Sequence, residues 1–82
     1  MKLEGAASRV PKGKFMIVGK EKIGDRINYF IPLASFPQPT YENLEEAIRD
    51  AKKANELASK FNYSVINRAQ DILYERGKWR DY

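Results

Sequence analysis

Two short stretches near the start of the chain carry the hydrophobic pattern of β-strands. Residues 14–20 and 26–34 are rich in β-branched and aromatic side chains, which favour extended backbone. The Gly-Asp pair at 24–25 between them is a favoured two-residue hairpin turn. Such a turn places Ile23 opposite Arg26, so this part of the chain is predicted to be an antiparallel hairpin.

Residues 44–60 carry a helical pattern instead. Asn43 is a good N-cap residue, and Glu46 stands where a capping box would place an acidic side chain. Two prolines in the preceding segment, 35–42, favour a loop. The apolar stripe of the helix is mostly alanine, which predicts close packing against a sheet. Its members recur at helical spacing: Leu44, Ala47, Ile48, Ala51, Ala54, Ala58 and Phe61.

The segment from residue 63 to the end admits two interpretations. As a hairpin, 63–68 and 72–76 are strands joined at 69–71, and as a helix the segment has Ser64 and Gly77 as its caps. Its many strand-forming residues, and the marginal stability of a two-stranded sheet, favour the hairpin. The expected fold is therefore α+β, a small single-layer antiparallel sheet with one main helix packed on it, in the order β-β-α-β-β. The alternative, with the last segment helical, is β-β-α-α.

The polar start of the chain suggests a division into two parts. Residues 1–12 are predicted to be a flexible basic arm, and residues 13–82 a single α+β domain. In the first hairpin both faces are apolar, and one helix can cover only one of them. If the C-terminal segment is a hairpin, the other face stays open as an interface, unless loop 35–42 and the arm cover it. The candidate protein interface consists of Phe15, Ile17 and Phe30.

Two residue types are missing from the sequence, and their absence narrows the chemistry. With no Cys, the chain has no disulfide and no thiolate metal ligand, and with no His it lacks the commonest general base and zinc ligand. No motif for a cofactor, a metal or an enzyme active site is present, so a catalytic function is not expected. No apolar run is long enough to cross a membrane, and a cytoplasmic protein is expected.

Positive charge is concentrated at the start of the chain. Residues 1–26 hold seven basic and three acidic residues, so this segment carries the whole excess of +4. A second cluster near the C-terminus alternates basic and aromatic residues, a composition that suits phosphates and stacked bases. The candidate nucleic-acid contacts are Lys12, Lys14, Lys20, Lys22 and Arg26 from the first cluster, and Arg76, Lys78, Trp79 and Arg80 from the second.

The stretch YFIPLASFPQPTYENLEEAIRDAKKA, residues 29–54, resembles the strand–loop–helix segment of HicB-type antitoxins. The similarity lies in a strand that runs through a proline-containing loop into a Leu-Glu-Glu-Ala helix start. The family's Gly-Cys loop signature is absent here, and the tail differs. The resemblance implies the strand-to-helix topology and does not extend to a function.

Two hypotheses of function follow. The first is a small non-enzymatic module of accessory or inhibitor type that acts through protein–protein interaction, with a protein partner or a second copy of itself as homodimer. The alternative is a nucleic-acid-binding module that uses the basic arm, the first hairpin and the C-terminal cluster. Neither hypothesis calls for a membrane or a metal.

Overall fold

The element order agrees with the predicted topology. The structure, a computed structural model, describes residues 1–32, 36–57 and 61–76. The segment after the main helix forms a hairpin, so the predicted order β-β-α-β-β is confirmed, and one short additional helix precedes it. The elements are α1 (Leu3–Ala7), β1 (Phe15–Ile23), β2 (Arg26–Phe30), α2 (Leu44–Leu57), β3 (Asn62–Asn67) and β4 (Ile72–Glu75).

The four strands form one antiparallel sheet in the order β2-β1-β3-β4. Ile23 pairs with Arg26 across the Gly-Asp turn, as the turn chemistry predicts. In the centre of the sheet β1 pairs with β3, and Phe15 at the start of β1 lies opposite Asn67 at the end of β3. The loop before β1 and the turn after β3 therefore meet at the same end of the sheet.

Both outer strands are obstructed against pairing with a further strand. Along β2, the backbone of Met1 exchanges hydrogen bonds of 2.8 and 2.9 Å with Tyr29. In β4, Tyr74 pairs with Val65 and Ile72 pairs with Ile66, which leaves Leu73 as an extra residue in a bulge. Short edge strands and bulges hinder edge-to-edge association.

Helix α2 covers one face of the sheet, and its start is capped as predicted. The Asn43 Oδ1 atom accepts hydrogen bonds from the backbone N–H groups of Glu45 and Glu46, at 2.8 and 3.2 Å. Ala47 and Ala51 are fully buried against the sheet, since their small side chains allow the helix to approach closely. The core on this face also contains Ile17, Tyr41, Tyr63 and Val65.

Helix α2 is described as far as Leu57, and a buried side chain links it to β3. Residues 58–60, the last three of the predicted helix, lie outside the described residues. Asn62 begins β3. The join between helix and strand is made by Asn55, whose buried amide donates to the Tyr63 carbonyl at 3.1 Å and accepts from the Tyr63 N–H at 2.7 Å. A side chain thus ties α2 directly to the sheet.

The opposite face is covered by the segment that we expected to be a flexible arm. Residues 3–7 are helix α1, and Ala6, Ala7 and Val10 are buried. They pack on Met16, Val18 and Ile66 of the sheet. Of the two alternatives for the sheet face that α2 leaves uncovered, the structure therefore shows the one in which the arm covers it. The apolar residues of this segment, at positions 3, 6, 7 and 10, have helical spacing that its polar composition obscures.

Gly19 in β1 has no side chain, which leaves room for an aromatic ring. Gly19 pairs with Phe30, and a β-carbon built on Gly19 would overlap the Phe30 ring. That ring makes edge contacts with Phe61 and Tyr63, at centroid distances of 5.0 and 6.4 Å. Gly19 therefore sets the position of a ring that joins the edge strand to the core.

Replacing Gly19 with alanine should displace the Phe30 ring and destabilise the protein by about 1–3 kcal/mol, the usual range for overpacking. Gly5→Ala is the control, because a β-carbon there meets nothing closer than 3.8 Å and alanine favours a helix. Urea unfolding followed by circular dichroism measures both variants. Equal unfolding midpoints for Gly19→Ala and the unmodified protein would contradict this packing.

Candidate nucleic-acid interface

Three cationic side chains meet at one end of the sheet. Lys12 and Lys14 lie in the loop just before β1, and Arg68 directly follows the last residue of β3. Together with Phe15 they line an open depression of about 780 Å³. We call Lys12, Lys14 and Arg68 the basic end. Because they come from segments more than fifty residues apart in the chain, the pairing of β1 with β3 is what assembles them.

The β3–β4 turn that carries Arg68 is held by one asparagine. The Asn67 Oδ1 atom accepts hydrogen bonds from the backbone N–H groups of Ala69 and Asp71, each at 3.0 Å. Its amide also donates to the Asp71 carboxylate at 3.0 Å, and Gln70 takes a left-handed φ of 67°. This turn presents Arg68 to solvent at a defined point beside the depression.

The loop that carries the two lysines is also fixed. Gly13 has a φ of 80°, a conformation that suits glycine, and the Lys14 N–H donates to the Pro11 carbonyl at 3.1 Å. Phe15 exchanges backbone hydrogen bonds of 2.8 and 2.7 Å with Tyr41. Both sides of the depression are therefore anchored to the sheet.

Acidic side chains near the basic end offset only part of its charge. Lys14 lies 3.5 Å from a carboxylate oxygen of Glu42, whose side chain is 84% exposed. An ion pair as exposed as this contributes little energy and is easily exchanged for another partner. Lys12 and Arg68 are exposed to solvent, so a phosphate can approach either side chain.

The buried residue Tyr41 holds the start of β1 in place. It is 1% exposed, and its hydroxyl donates to the Asp50 carboxylate of α2 at 2.7 Å. Burial, followed by this hydrogen bond and the negative charge of Asp50, raises the pKa of the Tyr41 hydroxyl above its ordinary value. The proton on Tyr41 therefore helps to hold the backbone that carries Phe15.

The other predicted nucleic-acid contacts either do not lie at the basic end or fall outside the described residues. Lys22 and Arg26 are exposed at the opposite end of the sheet, beside the hairpin turn. Arg76 directly follows β4, and its guanidinium donates to the Asn55 carbonyl at 2.6 Å. Lys78, Trp79 and Arg80 lie outside the described residues. Among the members of the predicted set that the structure describes, Lys12 and Lys14 lie together around the depression.

The structure corrects the prediction that Lys20 contacts nucleic acid, because its side chain lies inside the protein. It is 1% exposed, and its ammonium group lies 2.5 Å from a Glu75 carboxylate oxygen and 5.9 Å from the centre of the Tyr29 ring. Two further polar atoms on β3, Asn62 Oδ1 and Ser64 Oγ, are buried and have no hydrogen-bond partner among the described residues. Lys20 thus belongs to an internal polar cluster and is not a surface contact.

The predicted protein interface is also corrected by the structure. Ile17 is 3% exposed in the core beneath α2, and Phe15 and Phe30 are half-buried against the same core. These three residues do not form an open face. Phe15 alone among them lines the depression.

Arg68 is the residue that the sequence pattern did not single out. It stands alone between Asn67 and Ala69, without the run of basic residues that marks the other candidates. Only the strand order shows that it lies beside Lys12 and Lys14. A prediction that β3 pairs with β1 would have placed Arg68 beside the two lysines.

Other kinds of site find little support among the described residues. In residues 1–32, 36–57 and 61–76, no group of three or more Asp or Glu side chains is placed to hold a metal ion. Within the same ranges no helix has both the length and the apolar character needed to cross a lipid bilayer.

Comparisons with protein families, with curated proteins and with solved structures gave no significant match. The similarity of residues 29–54 to HicB-type antitoxins therefore stays a local resemblance.

The proton on Tyr41 makes the protein sensitive to alkaline pH. Because the pKa of this hydroxyl is raised on folding, the unfolded chain loses the proton first, and stability should fall as pH rises above about 10. Tyr41→Phe should be less stable near neutral pH, by about 1 kcal/mol, and should lose stability less steeply at alkaline pH. Unfolding free energies measured across this range test the expectation, which parallel profiles would contradict.

The two partners of the buried ion pair should differ in importance. Glu75→Gln leaves the Lys20 charge buried without compensation, a change that costs about 3–5 kcal/mol in fully buried pairs. Lys20→Met should cost less, because the Glu75 side chain is 31% exposed and can turn toward water. Chemical denaturation of the two variants gives the comparison, and an equal or reversed order would show that the charge on Lys20 is solvated.

Proposed function

We propose that this protein is a small non-enzymatic nucleic-acid-binding module whose contact surface is the basic end. The observation that carries the proposal is the convergence of Lys12, Lys14 and Arg68 around one depression. Lysine and arginine side chains bind phosphates by charge and by hydrogen bonds, and such contacts position a protein on the nucleic-acid backbone. Their convergence from two separate segments supports a common partner.

The distribution of charge over the rest of the molecule is consistent with this surface. The first 26 residues carry the whole excess of +4, whereas the exposed side of α2 mixes Glu45, Glu56, Lys52 and Lys53. This excess is divided between the two ends of the sheet, since Lys22 and Arg26 lie at the end opposite the basic end, so net charge attracts a polyanion without directing it to one end. Attraction of this kind weakens as salt screens it and as counterions compete.

A protein-binding role is the second candidate, and one observation favours it. Ile72 and Leu73 are neighbouring apolar residues in the edge strand β4, and each is 37% exposed. The bulge at Leu73 hinders the addition of a strand there, so contact would be made by side chains. Sedimentation that depends on protein concentration would support self-association through this strand.

Removal of the basic end should abolish most of the affinity for nucleic acid. In the variant Lys12→Ala/Lys14→Ala/Arg68→Ala, we expect a loss of about tenfold or more at near-physiological salt, because three phosphate contacts disappear. The slope of log affinity against log salt should also flatten by about two. Fluorescence anisotropy with labelled oligonucleotides measures both quantities.

The matched control removes the same charge from a different surface. Arg49→Ala/Lys52→Ala/Lys53→Ala takes three exposed cations from α2, and it should retain most of the affinity. A third variant, Lys22→Ala/Arg26→Ala, tests the opposite end of the sheet. Equal losses in the first two variants would mean that net charge, and not the basic end, governs binding.

A further inference from the structure

We infer that the basic end takes single-stranded nucleic acid, with one base placed against the ring of Phe15. This inference rests on the proposed function and names its ligand. The depression is lined by Lys12, Lys14, Arg68 and Phe15, and cationic and aromatic residues are the two components with which proteins bind single strands.

The shape of the basic end favours a single strand over a duplex. Proteins that read duplex DNA insert a helix or a two-stranded ribbon into the major groove. Here the three cations come from two separate segments and line an open depression of about 780 Å³, so they are not carried by one projecting element. A base that is free to leave its stack can enter such a depression, whereas a paired base cannot.

Phe15 is positioned to receive a base. It is the first residue of β1, it is half-buried, and its backbone is held on one side by Asn67 through strand pairing and on the other by Tyr41. Lys14 adjoins it in sequence, and Arg68 adjoins its strand partner Asn67. A base against Phe15 would therefore have its phosphates within the region of these two cations.

Three labelled ligands with equal numbers of phosphates per strand separate the contributions. They are a mixed-sequence single strand of about twelve nucleotides, an abasic strand of the same length, and the corresponding duplex. We expect the single strand to bind about fivefold or more tightly than the abasic strand, the range for one stacked base. The duplex should bind more weakly than the single strand at near-physiological salt.

Two substitutions of Phe15 assign the difference to its ring. Phe15→Leu keeps an apolar side chain and should reduce affinity for the normal strand toward that for the abasic strand. Phe15→Tyr keeps the ring and should preserve the preference. Circular dichroism establishes that each variant is folded, and if Phe15→Leu is not, the abasic comparison with the unmodified protein decides alone.

The outcomes separate this inference from the proposed function. If none of the three ligands binds, the proposed function itself is overturned. If all three bind but the abasic strand or the duplex binds as well as the normal strand, phosphate binding stands and the single-strand inference is overturned. A preference for the normal strand that Phe15→Leu retains overturns the role of the ring.

Discussion

The structure depends on one constraint, which is that strand β1 must be covered on both faces. Met16 and Val18 are buried on the side of α1, and Ile17 between them is buried on the side of α2. A chain of this size has one long helix for the purpose, so the second cover comes from residues 3–10. The arm, the sheet and the helix are therefore parts of one packing arrangement, and the basic end lies where the arm leads into β1.

Covering both faces also determines which surfaces stay available to a partner. Met16, Ile17 and Val18 of β1 are covered by the protein's own chain, and both sheet edges are obstructed. Some apolar side chains stay exposed, among them Leu57, Ile72 and Leu73, whereas the basic end is lined by cations together with Phe15. The proposed polyanionic partner is consistent with this combination of residues.

Local patterns in the sequence predicted most of the fold. The Gly-Asp turn, the Asn43 cap and the strand-forming residues after position 62 each act over a few residues, and all three predictions are confirmed. Helix α1 within the arm was not predicted, because its apolar stripe is short and half of it is alanine, so the helical period is weak. Its burial depends on Met16 and Val18, which come later in the chain.

The candidate site was only partly predictable, for a related reason. Lys12 and Lys14 stand out by their spacing in a basic segment, but the contribution of Arg68 follows from the pairing of β1 with β3. Lys20 is also a lysine of this basic segment, but its side chain is buried and forms an ion pair with Glu75 of β4. Residue type predicted the charge, and strand order decided which charges reach the surface together.

The strand order has a consequence for how the chain folds. Each hairpin, β1–β2 and β3–β4, joins residues that are close in sequence, whereas the central pair brings together residues as distant as Ile17 and Val65. Bringing β1 and β3 together closes a long loop and costs chain entropy, which the contacts within each hairpin do not compensate. The hairpins and α2 can therefore form early, and the union of β1 with β3 sets the high contact order of the domain. The surface that we assign to nucleic acid lies across the β1–β3 seam, so it exists only in molecules in which this long-range pair has formed.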